Sequence, residues 1–435
     1  MLTWLGIAAI LTVLTLILFR ITSVVVALTL VPLVAAAAGG FAGQIGAFAL
    51  DGMRSVAPTA ALLAFAVVYF GLMNDAGLFQ PIVGYVTRIV GSDPLKVVVG
   101  TAAIATVAHL DGAGASTFMV TVPAMLPFYQ RLRMDPLTLT CTTAMAAGTM
   151  NILPWGGPTT RAAAALQVGV GELFNPLVVA TVAGVMTVFA LSFVLGIGER
   201  GRASRRGVSQ ATEVASTANA VAASSAPHPP AAWWWFNAAL TIVTLGALVV
   251  ELVPLPVIFL TATAVALIVN CPNARDQRER LNAHGSAAMV MVTTVFAAGL
   301  FMGIMTKSGM LTSMARDAVA AMPHGVLAHM PVLLALASMP LSLAFDPDSF
   351  YFGVLPVLAN ASHAAGGSIA EVGRAALLGQ MTTGFPVSPL TPATFLLVGL
   401  ADVDLADHQR RAIPYLLAIS IVMTATAFLT GALHW

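Results

Sequence analysis

Two stretches of the chain set carboxylates among glycine and hydroxyl residues inside otherwise apolar sequence. The first reads Val107-Ala-His-Leu-Asp-Gly-Ala-Gly-Ala-Ser-Thr-Phe-Met-Val-Thr-Val-Pro-Ala-Met-Leu-Pro127, the second Ala344-Phe-Asp-Pro-Asp-Ser-Phe-Tyr-Phe-Gly-Val-Leu-Pro356. In the first, Asp111 sits with Gly112, Gly114, Ser116 and Thr117 between two half-length apolar arms, the pattern of a helix-turn-helix tip. Asp346, Asp348 and Ser349 take the same place in the second. Carboxylates at membrane depth are costly and point to function. They can carry a proton, or ligate magnesium or calcium through hard oxygen. His109 reads equally as a buried hydrogen-bonding residue or as part of a proton relay, and Asp346, before a proline, equally as a helix cap.

Two further stretches lie 25 to 40 residues downstream of these tips, Met150-Asn-Ile-Leu-Pro-Trp-Gly-Gly-Pro-Thr-Thr-Arg161 and Thr382-Thr-Gly-Phe-Pro-Val-Ser-Pro-Leu-Thr-Pro-Ala-Thr394. Prolines, glycines and hydroxyls in the middle of an apolar span predict a broken helix. Amide hydrogens at the N-terminus of a half-helix suit a carboxylate, and carbonyls at a half-helix C-terminus suit a cation. Candidate substrate ligands are therefore Gly112, Gly114, Ser116 and Thr117 at the first tip, Asn151, Gly156, Gly157 and Thr159 in the first break, and Ser349, Ser388 and Thr391 in the second half. Arg161, the one cation in the central break, reads as a carboxylate ligand or as a side chain reaching for the membrane surface. The set predicts an anionic substrate accompanied by a cation.

The elements that must hold these residues are membrane helices. Of 435 residues, 58% are hydrophobic and only 9% charged, and the mean hydropathy is +0.91, whereas soluble domains carry roughly a quarter charged residues. A net charge of +1 gives no basic surface for nucleic acid, and Cys141 and Cys271, far apart in apolar segments, offer neither a disulfide framework nor a cysteine-rich metal site. Crossings are expected near residues 3–19, 22–48, 58–76, 136–168, 175–197, 235–252, 255–271, 286–306, 375–400 and 412–433, with an amphipathic stretch at 78–91. The first apolar run has Arg20 after it and no basic residue before it, so a retained helix is expected in place of a signal peptide. Residues 199–232 are too polar to pack a core and read as a linker, after which Trp233, Trp234 and Trp235 read as an interfacial anchor.

The chain repeats itself. Phe70-Gly-Leu-Met-Asn-Asp-Ala-Gly77 matches Met302-Gly-Ile-Met-Thr-Lys-Ser-Gly309 at an offset of 232, Pro154 maps to Pro386 and Thr159 to Thr391 at the same offset, and Pro123 maps to Pro356 at 233. Two homologous halves follow, residues 1–198 and 233–435, of the kind found in secondary transporters. Each has five crossings if residues 95–133 and 326–365 are re-entrant hairpins, and an odd number inverts the second half. Under that topology fourteen Lys and Arg residues face one side and four the other, with Arg161 between. The positive-inside rule then makes the linker cytoplasmic and puts both termini outside.

At these motifs the sequence resembles the citrate-metal:proton symporters of the ion transporter superfamily. The resemblance rests on Leu110-Asp-Gly-Ala-Gly-Ala-Ser-Thr117, Asn151-Ile-Leu-Pro-Trp-Gly-Gly-Pro-Thr159 with Arg161, Phe350-Tyr-Phe-Gly-Val-Leu-Pro356, and Pro386-Val-Ser-Pro-Leu-Thr-Pro-Ala-Thr394 running to Val403-Asp-Leu-Ala-Asp-His408. It implies uptake of citrate complexed with a divalent metal, coupled to protons, at the inner membrane. The metal would be cargo, with no resident cofactor. It also implies an all-α elevator-type fold and a homodimer, like the related sodium-coupled dicarboxylate carriers, whose tips carry Ser-Asn-Thr. Asp111 and Asp348, with Asp346 and His109, would then take up protons, and Asp111 and Asp348 would touch the metal. The alternatives are a sodium-coupled carrier of another di- or tricarboxylate and a passive anion channel. An enzyme is not expected, since neither a His-Glu-x-x-His nor a Gly-x-Ser-x-Gly motif occurs.

Overall fold

The computed structural model describes residues 1–19, 21–205, 231–250, 253–321, 327 and 329–434. Helices α1 (Leu2–Leu18) and α2 (Val24–Ala38) lead into the long α3 (Ile45–Asp75) and the amphipathic α4 (Gln80–Val90). A hairpin of α5 (Pro94–Ala108) and α6 (Gly114–Arg131) follows, then α7 (Pro136–Met150), the half-helix α8 (Gly157–Leu166), the short α9 (Val170–Phe174) and α10 (Val178–Arg205). The order then recurs. Helices α11 (Ala231–Val250), α12 (Leu255–Asn270), the long α13 (Ala274–Lys307) and α14 (Met310–Ala321) precede a second hairpin, α15 (Met330–Leu341) and α16 (Leu355–Ala364). Next come α17 (Ile369–Leu377), the half-helix α18 (Pro392–Ala401) and α19 (Leu405–Leu429).

Local chemistry sets the helix starts around the hairpins. Asp93 and Asp135 each precede a proline and accept from the amide two residues on, Leu95 at 3.1 Å and Leu137 at 2.9 Å. A side-chain oxygen there satisfies an otherwise orphaned amide, and proline is preset for the first helical position. Ser368, the counterpart of Asp135 at offset 233, caps α17 by accepting from the amide three residues on, Glu371, at 3.5 Å.

Several boundaries differ from the hydropathy expectation: α10 runs on to Arg205, past 197, and α19 starts at Leu405, ahead of 412. Helices α3 and α13 start at Ile45 and Ala274, not near 58 and 286, because charged turns extend them: Asp51 pairs with Arg54 and Arg275 with Glu279 at helical spacing. The crossing expected to run to residue 48 ends at Ala38, where Gly40 turns the chain at a φ of 87°. The spans over 136–168 and 375–400 are each split in two, at the breaks that their prolines and glycines predict. Of the linker expected over 199–232, residues 199–205 continue α10 and 231–232 open α11, while 206–230 lie outside the described residues.

Among the described residues five continuous helical stretches are long and apolar enough to cross a membrane, and α1, α2, α12, α15 and α18 are shorter apolar helices. Leu11, Val34, Ile242 and Ile268 stand exposed on α1, α2, α11 and α12, and Val290 on α13, an apolar surface suited to lipid. The chain is an all-α integral membrane protein.

Helices α3 and α13 cross at the centre through glycines. Gly52 lies against Gly299 and Gly303, while Gly71 lies against the His284 ring. As α3 runs from 52 to 71, its partner therefore runs from 303 to 284, so the two are antiparallel. Gly71 and Gly303, like Gly52 and His284, are 232 apart, so the two contacts occupy equivalent places. Helix α2 packs on α13, and α12 packs on α3. Around this frame lie the hairpins and broken helices. Helix α6 of the first hairpin packs on α18 of the second half, and α16 of the second packs on α8 of the first.

Candidate functional site

The first tip is one tight turn. After α5 a single 3-10 turn, His109–Asp111, leads to Gly112 in the left-handed region at a φ of 72°. The Asp111 carboxylate closes the turn, accepting from the Ala113 amide at 2.8 Å and from the Ser116 hydroxyl. A Cβ on Gly112 would lie 3.2 Å from the Trp155 ring and 3.6 Å from the Gly156 Cα, so this tip rests on the first break. Trp155 fastens it there, its Nε1 donating to the Leu110 carbonyl at 2.8 Å while its ring stacks on Phe70.

The second tip distributes its carboxylates differently. Asp346 accepts from the Ser349 amide at 2.7 Å and the Ser349 hydroxyl at 2.9 Å, so it caps the helix that follows. That helix opens as a π turn, Ser349–Val354, around the buried Phe350, Tyr351 and Phe352. Asp348 turns to the other half of the chain and accepts from Arg161 Nε at 2.7 Å.

The two breaks are cross-braced. In the first, Asn151–Gly156, the Thr159 hydroxyl donates to the Ile152 carbonyl at 2.8 Å; in the second, Leu378–Thr391, the Thr391 hydroxyl donates to the Phe385 carbonyl at 2.8 Å. Ser388 ties its break to the second hairpin through the Ser342 carbonyl at 2.6 Å, matching the link from Trp155 to Leu110. Asn151 reaches the opposite break, donating from Nδ2 to the Met381 carbonyl at 2.6 Å, and its Oδ1 faces His109 Nε2 at 3.2 Å. Because Asn151 Nδ2 is the donor to Met381, its Oδ1 accepts and His109 carries its proton on Nε2. His109 Nδ1 meets the Thr117 hydroxyl at 2.8 Å, and its ring stacks on Phe385. Met381 is held at a φ of 53°, with its amide donating to Ser342 at 2.9 Å. A non-glycine residue there costs about 1–3 kcal/mol and persists only where its surroundings hold it.

Tips and breaks thus converge on the N-terminus of α8. Gly156 and Gly157 form that end, and Arg161 leans back over it, with Nη1 2.8 Å from where a Gly157 Cβ would stand. Gly112, Asp348 and Arg161 border this region, Asp111 and Ser116 belong to the same turn as Gly112, and a Cβ on Gly114 would meet the Phe385 ring. His109, Thr117 and Asn151 lie beneath it as a buried polar network, and Thr159, Ser388 and Thr391 brace backbone. Trp155, Ser342, Met381 and Gln380 also belong to the site. Sequence reasoning did not select them, although Trp155 and Met381 lie in or beside the quoted motifs. Gln380 Nε2 and the Thr382 and Thr383 hydroxyls are buried without a hydrogen bond among the described residues. No three His, Cys, Asp or Glu side chains among the described residues converge as a metal site.

Residues 4–384 match the family described as citrate transporter, CitMHS. A Bacillus subtilis (strain 168) protein named "Citrate transporter" is 42% identical over 413 residues, covering 95% of each chain. A second from the same organism, "Mg(2+)/citrate complex secondary transporter", is 40% identical over 434 residues, covering 100% of this chain and 99% of its own. Among solved structures, the Alcanivorax borkumensis YdaH transporter, described as having an unusual topology, shares the fold with a TM-score of 0.62 at 15% identity, over 89% of this chain and 88% of that one. The match over nearly the whole length shows that the chain belongs to the citrate transporter family, a family of membrane transporters and not of enzymes.

Proposed function

We propose that the chain is a secondary transporter that takes up citrate as its complex with a divalent metal such as magnesium or calcium, driven by protons, across the inner membrane. The observation that carries this reading is the meeting of both hairpin tips at the N-terminus of α8, beside Arg161 and Asp348. Amide dipoles and a guanidinium suit the carboxylates of citrate, and a carboxylate suits the metal. In this reading the metal is cargo whose remaining ligands come with it, as the name of the Mg(2+)/citrate relative suggests. Gly112, Gly156 and Gly157 border the same space, and Ser116 belongs to the turn of Gly112. Asp111 is the proton carrier in this reading, with His109 behind it.

The same reading makes the molecule two inverted repeats that move as an elevator within a homodimer. The hairpins and half-helices would form the moving unit, and α2, α3, α12 and α13 the scaffold. The antiparallel crossing of α3 and α13 supports inversion, because halves related by an axis in the membrane plane meet in that way. Both termini then lie outside and the linker lies in the cytoplasm.

Uptake of labelled citrate into proteoliposomes with an inward proton gradient, with magnesium, calcium or a chelator outside, tests the proposal. Metal-dependent accumulation without sodium is expected. Uptake that survives the chelator and needs sodium would reject it in favour of a sodium-coupled carrier, and equilibration without accumulation would indicate a channel.

A further inference from the structure

Arg161 and Asp348 pair across 187 residues and across the two halves of the chain, at 2.7 Å, with side chains 27% and 18% exposed. The other tip carboxylates are engaged by their own turns, Asp346 by Ser349 and Asp111 by Ala113 and Ser116. Arg161 uses only Nε in this pair, and Nη1 lies over Gly157 at the start of α8. A cation at the positive end of a helix is electrostatically unfavourable unless an anion offsets it. Here Asp348 is that anion.

The pair does not belong to the repeat. The counterpart of Arg161 at offset 232 is Ala393, and a Cβ on Gly114 of the first tip would lie 3.6 Å from the Ala393 Cβ. Where the first half carries the Arg161 guanidinium, the second carries the Ala393 methyl group beside the first tip.

We propose that Arg161 and Asp348 stand in for the two components of a metal–polycarboxylate complex, and that this internal pair makes recognition of the complex obligatory. The inference rests on the metal-citrate reading above. Asp348 occupies the place of a substrate carboxylate on Arg161, and Arg161 occupies the place of the metal on Asp348. A free polycarboxylate entering the site pairs with Arg161 but strands Asp348. A free divalent cation pairs with Asp348 but strands Arg161. Leaving one partner of a buried pair uncompensated is strongly unfavourable. Only a ligand bearing both charges exchanges one ion pair for two.

The test is calorimetric binding to the full chain in lipid nanodiscs, with magnesium citrate, citrate in EDTA, and magnesium chloride as three separate probes. The unaltered chain is expected to bind magnesium citrate at least about tenfold more tightly than metal-free citrate. Asp348→Asn frees Arg161, so metal-free citrate should bind about tenfold more tightly than to the unaltered chain. Arg161→Gln should let magnesium chloride bind alone. The double variant R161Q/D348N strands no charge, which protects its folding, and should bind magnesium citrate at least about tenfold more weakly with little metal preference. Unchanged affinity for metal-free citrate in Asp348→Asn, or an unchanged metal preference in the double variant, would overturn the pair's role while leaving metal-citrate transport standing. Equal binding of citrate with and without magnesium by the unaltered chain would overturn both.

Discussion

Gly303 of α13 packs backbone to backbone on Gly52 of α3, and a Cβ added to Gly303 would stand 2.7 Å from the Gly52 Cα. Nothing there can swing aside, so Gly303→Ala should force the central helices apart, at a cost of about 1–3 kcal/mol. The expected result is a thermal unfolding midpoint several degrees lower in detergent. Gly246→Ala, which meets nothing within 4 Å, serves as the control and should leave the midpoint in place.

Asn151 joins three separate segments through its one amide, donating to Met381 and accepting from His109. Asn151→Ala leaves the Met381 carbonyl and the His109 Nε2–H buried without partners, at about 1–3 kcal/mol each. Met381 also loses one of the bonds that hold it at its left-handed φ. Both the unfolding midpoint and citrate uptake should fall. Uptake at the level of the unaltered chain would show that the cross-brace between the breaks is dispensable for transport.

What was legible in the sequence is what local composition controls. Apolar runs marked most of the helices, Gly-Gly-Pro after Trp155 and the prolines around Ser388 marked the breaks, and glycines beside Asp111 marked the first tip. The offset of 232 in the sequence is matched by the pairing of Gly52 with Gly303 and of Gly71 with His284. The use made of each polar side chain was not legible, because it depends on what a distant segment brings near. Asp346 and Asp348 are two residues apart and look alike in sequence, yet one caps its own helix and the other pairs with a residue 187 positions away. Likewise Thr159 and Thr391 read as ligands, and their hydroxyls close backbone carbonyls left open by the breaks. Ser342 gave no signal, since a lone serine near the end of an apolar helix has no distinguishing neighbour. Only the fold shows that it receives Ser388 and holds Met381.

At the membrane edge, Arg200 at the end of α10 clasps Asp93, the cap of the first hairpin, with Nε donating to Oδ1 at 3.1 Å and Nη2 to Oδ2. Burial alone would raise the Asp93 carboxyl, but the hydrogen bonds from Arg200 and the Leu95 amide, with the charges of Arg200 and Lys96, outweigh it and hold the carboxyl below its ordinary value. A carboxylate depressed in the folded state contributes stability above its unfolded pKa, about 3.9, and that contribution is lost as the pH falls through the folded value. Asp93→Asn keeps a capping oxygen and removes only the charge. It should lower the unfolding midpoint at pH 7, and the gap should close as the pH drops below about 4. A gap that persists there would assign the effect to the cap and not to the ion pair.

Asp111 allows the proton role to be tested without dismantling the tip. Its carboxylate closes the turn by accepting from Ala113 and Ser116, and an asparagine oxygen can accept from the same Ala113 amide. Asp111→Asn should therefore fold, with an unfolding midpoint close to that of the unaltered chain, while having no group that gains and loses a proton at that position. If Asp111 is the proton carrier, the variant should still exchange labelled for unlabelled magnesium citrate across a proteoliposome membrane. It should no longer concentrate citrate against its gradient when a proton gradient is imposed. The two assays separate binding from coupling, because exchange needs only the loaded transporter to move, whereas accumulation needs the proton to move with it. Full proton-driven accumulation by Asp111→Asn would remove Asp111 from the coupling pathway.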